Sequence, residues 1–128
     1  MNATDAEKLL LAMISAYVWV ASSDEGVDLD EYNKFNNVIV ESPFATHFTA
    51  LDIRHTFKDM VGVFAENYDF GIQLTRDRLK EYANDPMKAE EILRLARAAM
   101  VGDNRLEEVE ENVLHEVARE LNLNINEA

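Results

Sequence analysis

At 128 residues, with 48% apolar and 9% aromatic content, the chain is long enough for one packed domain, 1–128, and too apolar to be disordered. Its formal net charge of −13, from 25 acids against 12 Lys and Arg, repels phosphate; nucleic-acid binding by counterion release and docking to anionic lipid are both disfavoured, and cations or a basic protein partner are favoured. The absence of cysteine excludes disulfides and thiolate metal sites, and the scarcity of Gly (4) and Pro (2), with no Asn-Gly or Asp-Gly hairpin signal, argues for helices.

Taken in order, Thr4-Asp5-Ala6-Glu7 reads as a capping box that starts a helix from Asp5 to Ser22. Leu9, Leu10, Met13, Ile14, Tyr17, Val18 and Val20 cover nearly every side of that helix, which predicts a central buried rod with Trp19 turned toward a neighbour. Its apolar run, Leu9 to Ala21, is too short to span a bilayer, and the residues before it lack the basic character of a signal peptide. A soluble, cytoplasmic protein is the expectation.

Ser22 to Gly26 breaks the first helix, and Asp28 caps a second, with Glu31 at its third position. Leu29, Tyr32, Phe35, Val38 and Ile39 form its inward face. Ser42-Pro43 caps a short turn over residues 44–48, and Asp52 is placed to cap a helix carrying Ile53, Phe57, Met60, Val61 and Phe64. A break at Asn67 to Asp69 leads to a helix with Phe70, Ile72, Leu74, Leu79 and Tyr82 inward. Asp85-Pro86 is a strong start signal for a helix with Met87, Ile92, Leu95, Ala96, Ala99 and Met100 inward. The last helix runs from Glu107 to Leu121 with Leu106, Val109, Val113, Leu114, Val117 and Leu121 inward, and Asn122 supplies a left-handed cap. The expected architecture is all-α, a compact bundle of six to seven helices.

One stretch is written twice. Asp24-Glu25-Gly26-Val27-Asp28-Leu29-Asp30-Glu31 returns 79 residues later as Asp103-Asn104-Arg105-Leu106-Glu107-Glu108-Val109-Glu110. Each copy has an Asp, an aliphatic three residues on, a second acid four on and a Glu seven on. The match extends outward, with Met13, Ala16, Tyr17 and Val20 opposite Ile92, Leu95, Ala96 and Ala99, and Phe35 and Val38 opposite Leu114 and Val117. Two copies of a helix–acidic turn–helix unit predict an internal pseudo-two-fold. Such symmetry would bring Asp24, Asp28 and Glu31 toward Asp103, Glu107 and Glu110. Six hard oxygen donors suit Ca²⁺, Mg²⁺ or Mn²⁺. The competing explanation is local, since acids at helix starts cap free N–H groups and favour the helix dipole.

The two acidic turns resemble the tellurite-resistance TerB-like family, which also includes a domain of a membrane-anchored DnaJ-type co-chaperone. The family pattern is an Ala-rich helix, Asp-Gly, a hydrophobic residue, then acids and a Glu opening a helix, closing near Leu-Gly-Leu. It corresponds here to Asp24 through Glu31, Asp103 through Glu110 and Leu121-Asn122-Leu123. The sequence departs from it at Glu25 and Asn104, which replace the Gly after each leading Asp, and at Asn122. The resemblance implies an all-helical fold with a pseudo-two-fold, an acidic site for divalent cations, and a role in stress or metal-oxyanion resistance rather than catalysis.

Other chemistries lack their residues. Twelve positions from Asp24 and Asp103 stand Phe35 and Leu114, where an EF-hand requires Glu. His115-Glu116 is followed at the zincin position by Arg119, which excludes that protease motif. His47, His55 and His115 read as helix-surface or boundary residues, with Glu111 and His115 placed to pair. Two alternatives stand beside the cation-binding domain. One is an acidic interaction module whose carboxylates only cap helices; the other is a two-metal hydrolase, which has no His near the acidic turns to serve it.

Overall fold

The computed structural model describes residues 1–23, 27–100 and 108–124. Among these residues there are six α-helices, one short 3-10 turn and no strand. The helices are α1 (Ala3–Ser22), α2 (Leu29–Ile39), α3 (Ala50–Glu66), α4 (Tyr68–Lys80), α5 (Pro86–Ala98) and α6 (Glu108–Glu120), with the 3-10 turn at Ala45–His47.

The first helix is the axis of the molecule. From Leu9 to Ala21 every residue except Leu11 is buried, Ser15 included. It packs most extensively on α5, then on α3 and α4, and also on α6. A helix apolar all round needs neighbours all round, and the rest of the chain supplies them.

The packing has the exchange expected of a repeat. Under the 79-residue offset α1 corresponds to α5 and α2 to α6. The structure packs α1 against α5, α1 against α6, and α2 against α5. Each inner helix thus touches the outer helix of the other copy.

Helix boundaries follow capping chemistry, with two shifts from the sequence expectation. Asn2, not Thr4, caps α1, its side-chain oxygen accepting the Asp5 N–H at 2.8 Å, so Thr4 lies inside the first turn. Thr49, not Asp52, caps α3 by accepting the Asp52 N–H at 3.0 Å. In both cases an acid expected near the cap is the residue whose N–H is capped, three positions on. Asp28 and Asp85 cap as expected, through the Glu31 and Lys88 N–H groups. Asn67 ends α3 and starts α4, reducing the expected three-residue break to one residue. Asn122 stands at φ 58°, and Leu123 N–H reaches back to the Ala118 carbonyl at 2.8 Å, a Schellman-type close.

The core spans all six helices. Four residues assigned inward lie instead at the surface: Leu29, Phe70, Met87 and Val109. All four fall in the first turns of their helices, where the axis enters the bundle and one side is not yet covered. Trp19 is fully buried and lies beneath the Arg76 guanidinium, 5.2 Å from the ring centroid. No described helix is long and apolar enough to cross a membrane.

Candidate functional site

The acidic corner begins with the turn between α1 and α2. Asp28 is extended at its backbone (φ −110°, ψ −175°) and its Oδ1 accepts the Glu31 N–H at 3.0 Å. That cap fixes the first turn of α2 and sets Glu31 on the face toward α1. There the Tyr17 hydroxyl meets it, 2.9 Å from Glu31 Oε2 and 3.0 Å from the Glu31 carbonyl.

An aromatic cluster holds Tyr17 in place. Its ring meets Phe35 edge-on at 4.9 Å and Phe57 at 6.0 Å, while Tyr32 closes on Phe57 at 5.2 Å. Only the hydroxyl tip faces polar groups. Burial raises the phenol pKa far above its ordinary value, and the Glu31 charge and hydrogen bond, then the charges of Asp28 and Glu110, raise it further.

Glu110 is the informative member of that set. It belongs to the second copy of the repeat, in the first turn of α6, and it is 6% exposed. Asp28 and Glu31 of the first copy and Glu110 of the second therefore act on one hydroxyl.

A cation from the chain itself stands at the same corner. Lys34 Nζ lies 3.6 Å from Glu31 Oε2 and donates to the Ala99 carbonyl at 3.3 Å, at the C-terminal end of α5. The negative end of a helix dipole and a carboxylate together favour an ammonium there. On the next turns Arg94 of α5 reaches back to the Val38 carbonyl of α2 at 3.4 Å while held by Glu91. Lys34 was legible as the i+3 partner of Glu31; its reach to Ala99 was not, because that contact is set by α2 packing on α5.

Of the six carboxylates singled out in the sequence, Asp28, Glu31 and Glu110 are described: Glu31 accepts the Tyr17 hydroxyl, while Asp28 and Glu110 bear on it only through their charge. Asp24, Asp103 and Glu107 lie outside the described residues, as does Leu106. Among the described residues no group of three or more His, Asp or Glu side chains is close enough to hold a metal ion. His47 and His55 are exposed and His115 half-buried, as expected, but no ion pair joins Glu111 to His115. The donors present are carboxylate oxygens, the chemistry that a hard divalent cation takes.

No curated protein and no solved structure matches the chain. The family described as tellurite resistance protein TerB matches residues 10–128, from the buried centre of α1 through both acidic turns to the end. On that match, over most of its length, the chain belongs to the TerB family.

Proposed function

We propose that this TerB-family chain works without catalysis, as a divalent-cation-binding helical domain in cytoplasmic tellurite or stress resistance. Ca²⁺, Mg²⁺ or Mn²⁺ would be held by Asp24, Asp28 and Glu31 from one copy and Asp103, Glu107 and Glu110 from the other. The observation that supports this reading is that Glu31 of the first copy accepts the Tyr17 hydroxyl while the charges of Asp28 and of Glu110, from the second copy, bear on the same group. Carboxylates of both copies whose fields meet there repel one another, and a cation between them would relieve that repulsion.

Thermal unfolding with and without each metal is the test. A cation at a hundredfold excess over its Kd stabilises by about 2.7 kcal/mol, of the order of 10 °C in Tm for a chain of this size. The increment should vanish in Asp24→Asn combined with Asp103→Asn, and in Glu110→Gln. Coincident melting curves in chelator and in millimolar metal reject the site.

A second reading is favoured by Lys34. Its ammonium already neutralises part of the corner, and Asp28 is occupied as a helix cap. On that reading the carboxylates are structural and the acidic surface docks a basic protein partner. Metal-independent folding, with partner capture that weakens as salt rises, would distinguish it from the first.

A further inference from the structure

Beside the acidic corner, one face of α3 lies open as a groove. Two concavities of about 290 Å³ and 250 Å³ meet there, sharing Val27 and Val61. Their α3 residues are Arg54, Phe57, Lys58, Val61, Phe64 and Ala65. That spacing is a single helix stripe, and from 54 to 65 it runs roughly 16 Å. The start of α2, with Leu29 and Tyr32, borders the first concavity, and the end of α1, with Val18 and Ser22, borders the second together with Tyr68 of α4.

The groove is apolar along its floor and basic at one end. Leu29 is 72% exposed on its wall. Arg54 and Lys58, one turn apart, stand exposed at the rim, and neither forms an ion pair with a described residue. In a chain with twice as many acids as bases, two adjacent cations with no ion pair to a described residue stand out. Asp28 also lines this end, but one of its oxygens is committed to the Glu31 N–H. Charges farther off are screened within about 8 Å at physiological ionic strength, so among the described lining residues Arg54 and Lys58 outnumber Asp28 and make this end net positive.

We propose that this groove docks an amphipathic helix of a partner protein, laid along α3, with its aliphatic stripe on Phe57 and Val61 and its carboxylates on Arg54 and Lys58. A helix stripe with two adjoining apolar concavities accepts an aliphatic row at i, i+3 and i+7 spacing. The basic end selects an acidic helix over a basic one.

A displayed library of helical peptides tests this, with Leu fixed at i, i+3 and i+7 and Glu or Lys varied at the flanking positions. The intact chain should enrich Glu at the flanks. Arg54→Glu combined with Lys58→Glu should turn the preference to Lys, and Leu29→Asp should weaken capture of the selected peptide by about tenfold or more. All three positions are exposed, so unchanged melting curves verify that the variants fold. Failure to enrich, or enrichment unaffected by the double charge reversal, overturns the proposal. So does dodecanoate binding that depends on Arg54 and Lys58 while no peptide is selected, which would make the occupant a fatty acid.

Discussion

The Tyr17 hydroxyl lies 2.9 Å from Glu31 Oε2 and joins the middle of the central helix to the first turn of α2. Replacing Tyr17 by Phe keeps the ring packing on Phe35 and removes a hydrogen bond to a charged group. We expect a loss of about 1.5–3 kcal/mol in urea unfolding at neutral pH.

The same residue gives the fold an alkaline limit. Folding raises the pKa of Tyr17 through burial and the nearby acids, and burial pushes Tyr82 up to about 12. Between the ordinary phenol value near 10 and these raised values the unfolded chain has released protons that the folded chain retains. Stability should therefore be level with respect to the tyrosines below about pH 10 and fall as pH rises beyond it. Urea midpoints measured between about pH 9 and 12 check this, and the decline should be shallower in Tyr17→Phe.

Two glycines make opposite predictions. A Cβ on Gly71 of α4 would stand 2.8 Å from Phe64 Cδ1, on a ring packed edge-on against Tyr68 at 5.6 Å. A Cβ on Gly62 of α3 meets nothing within 4 Å. Gly62→Ala should stabilise by about 0.5–1 kcal/mol through helix propensity. In Gly71→Ala an overpacking cost of about 1–3 kcal/mol offsets or exceeds that gain. Thermal melts of the pair separate propensity from packing.

Arg76 unites three elements. It binds Glu116 at 2.6 Å and Glu120 at 3.1 Å on α6 while covering Trp19 of α1. Arg76→Ala should cost about 1–3 kcal/mol and change the Trp19 fluorescence. Lys at this position should recover only part of the loss, since an ammonium cannot serve both carboxylates and the ring face.

Lys34 provides a handle on the acidic corner. Lys34→Met removes the ammonium beside Glu31 and the donor to the Ala99 carbonyl. Without metal its Tm should fall below that of the parent chain. With the cation-binding reading, the Tm increment from added divalent ion should grow, because the carboxylates then lack their internal counterion. An increment unchanged by the substitution would place the ion elsewhere.

How much of this was legible depended on the range of the interaction. Caps that involve one residue and an N–H three positions on, such as Asp28, Asp85 and the left-handed Asn122, could be read from type and position. Asn2 and Thr49 were overlooked in favour of Thr4 and Asp52, where several polar residues compete for one helix start. Periodicity identified the buried faces but assigned Leu29, Phe70, Met87 and Val109 to them, since helical phase cannot say where a neighbour ends. At the site, the repeat pointed to the acids. Tyr17, whose hydroxyl Glu31 accepts, reads as one more core aromatic because its pseudo-equivalent is Ala96 and only tertiary packing sets its hydroxyl against Glu31.

Because α1 leans most heavily on α5, whose first residue is Pro86, the ribosome releases the greasiest segment of the chain long before its main companion is made. At about 5–20 residues per second that interval lasts several seconds, time in which a nascent chain depends on chaperones or on makeshift contacts. Folding is then a late event, completed only once translation has passed the second half of the duplication. Truncations that spare α1 but remove α5 should accumulate as aggregates rather than as smaller folded units.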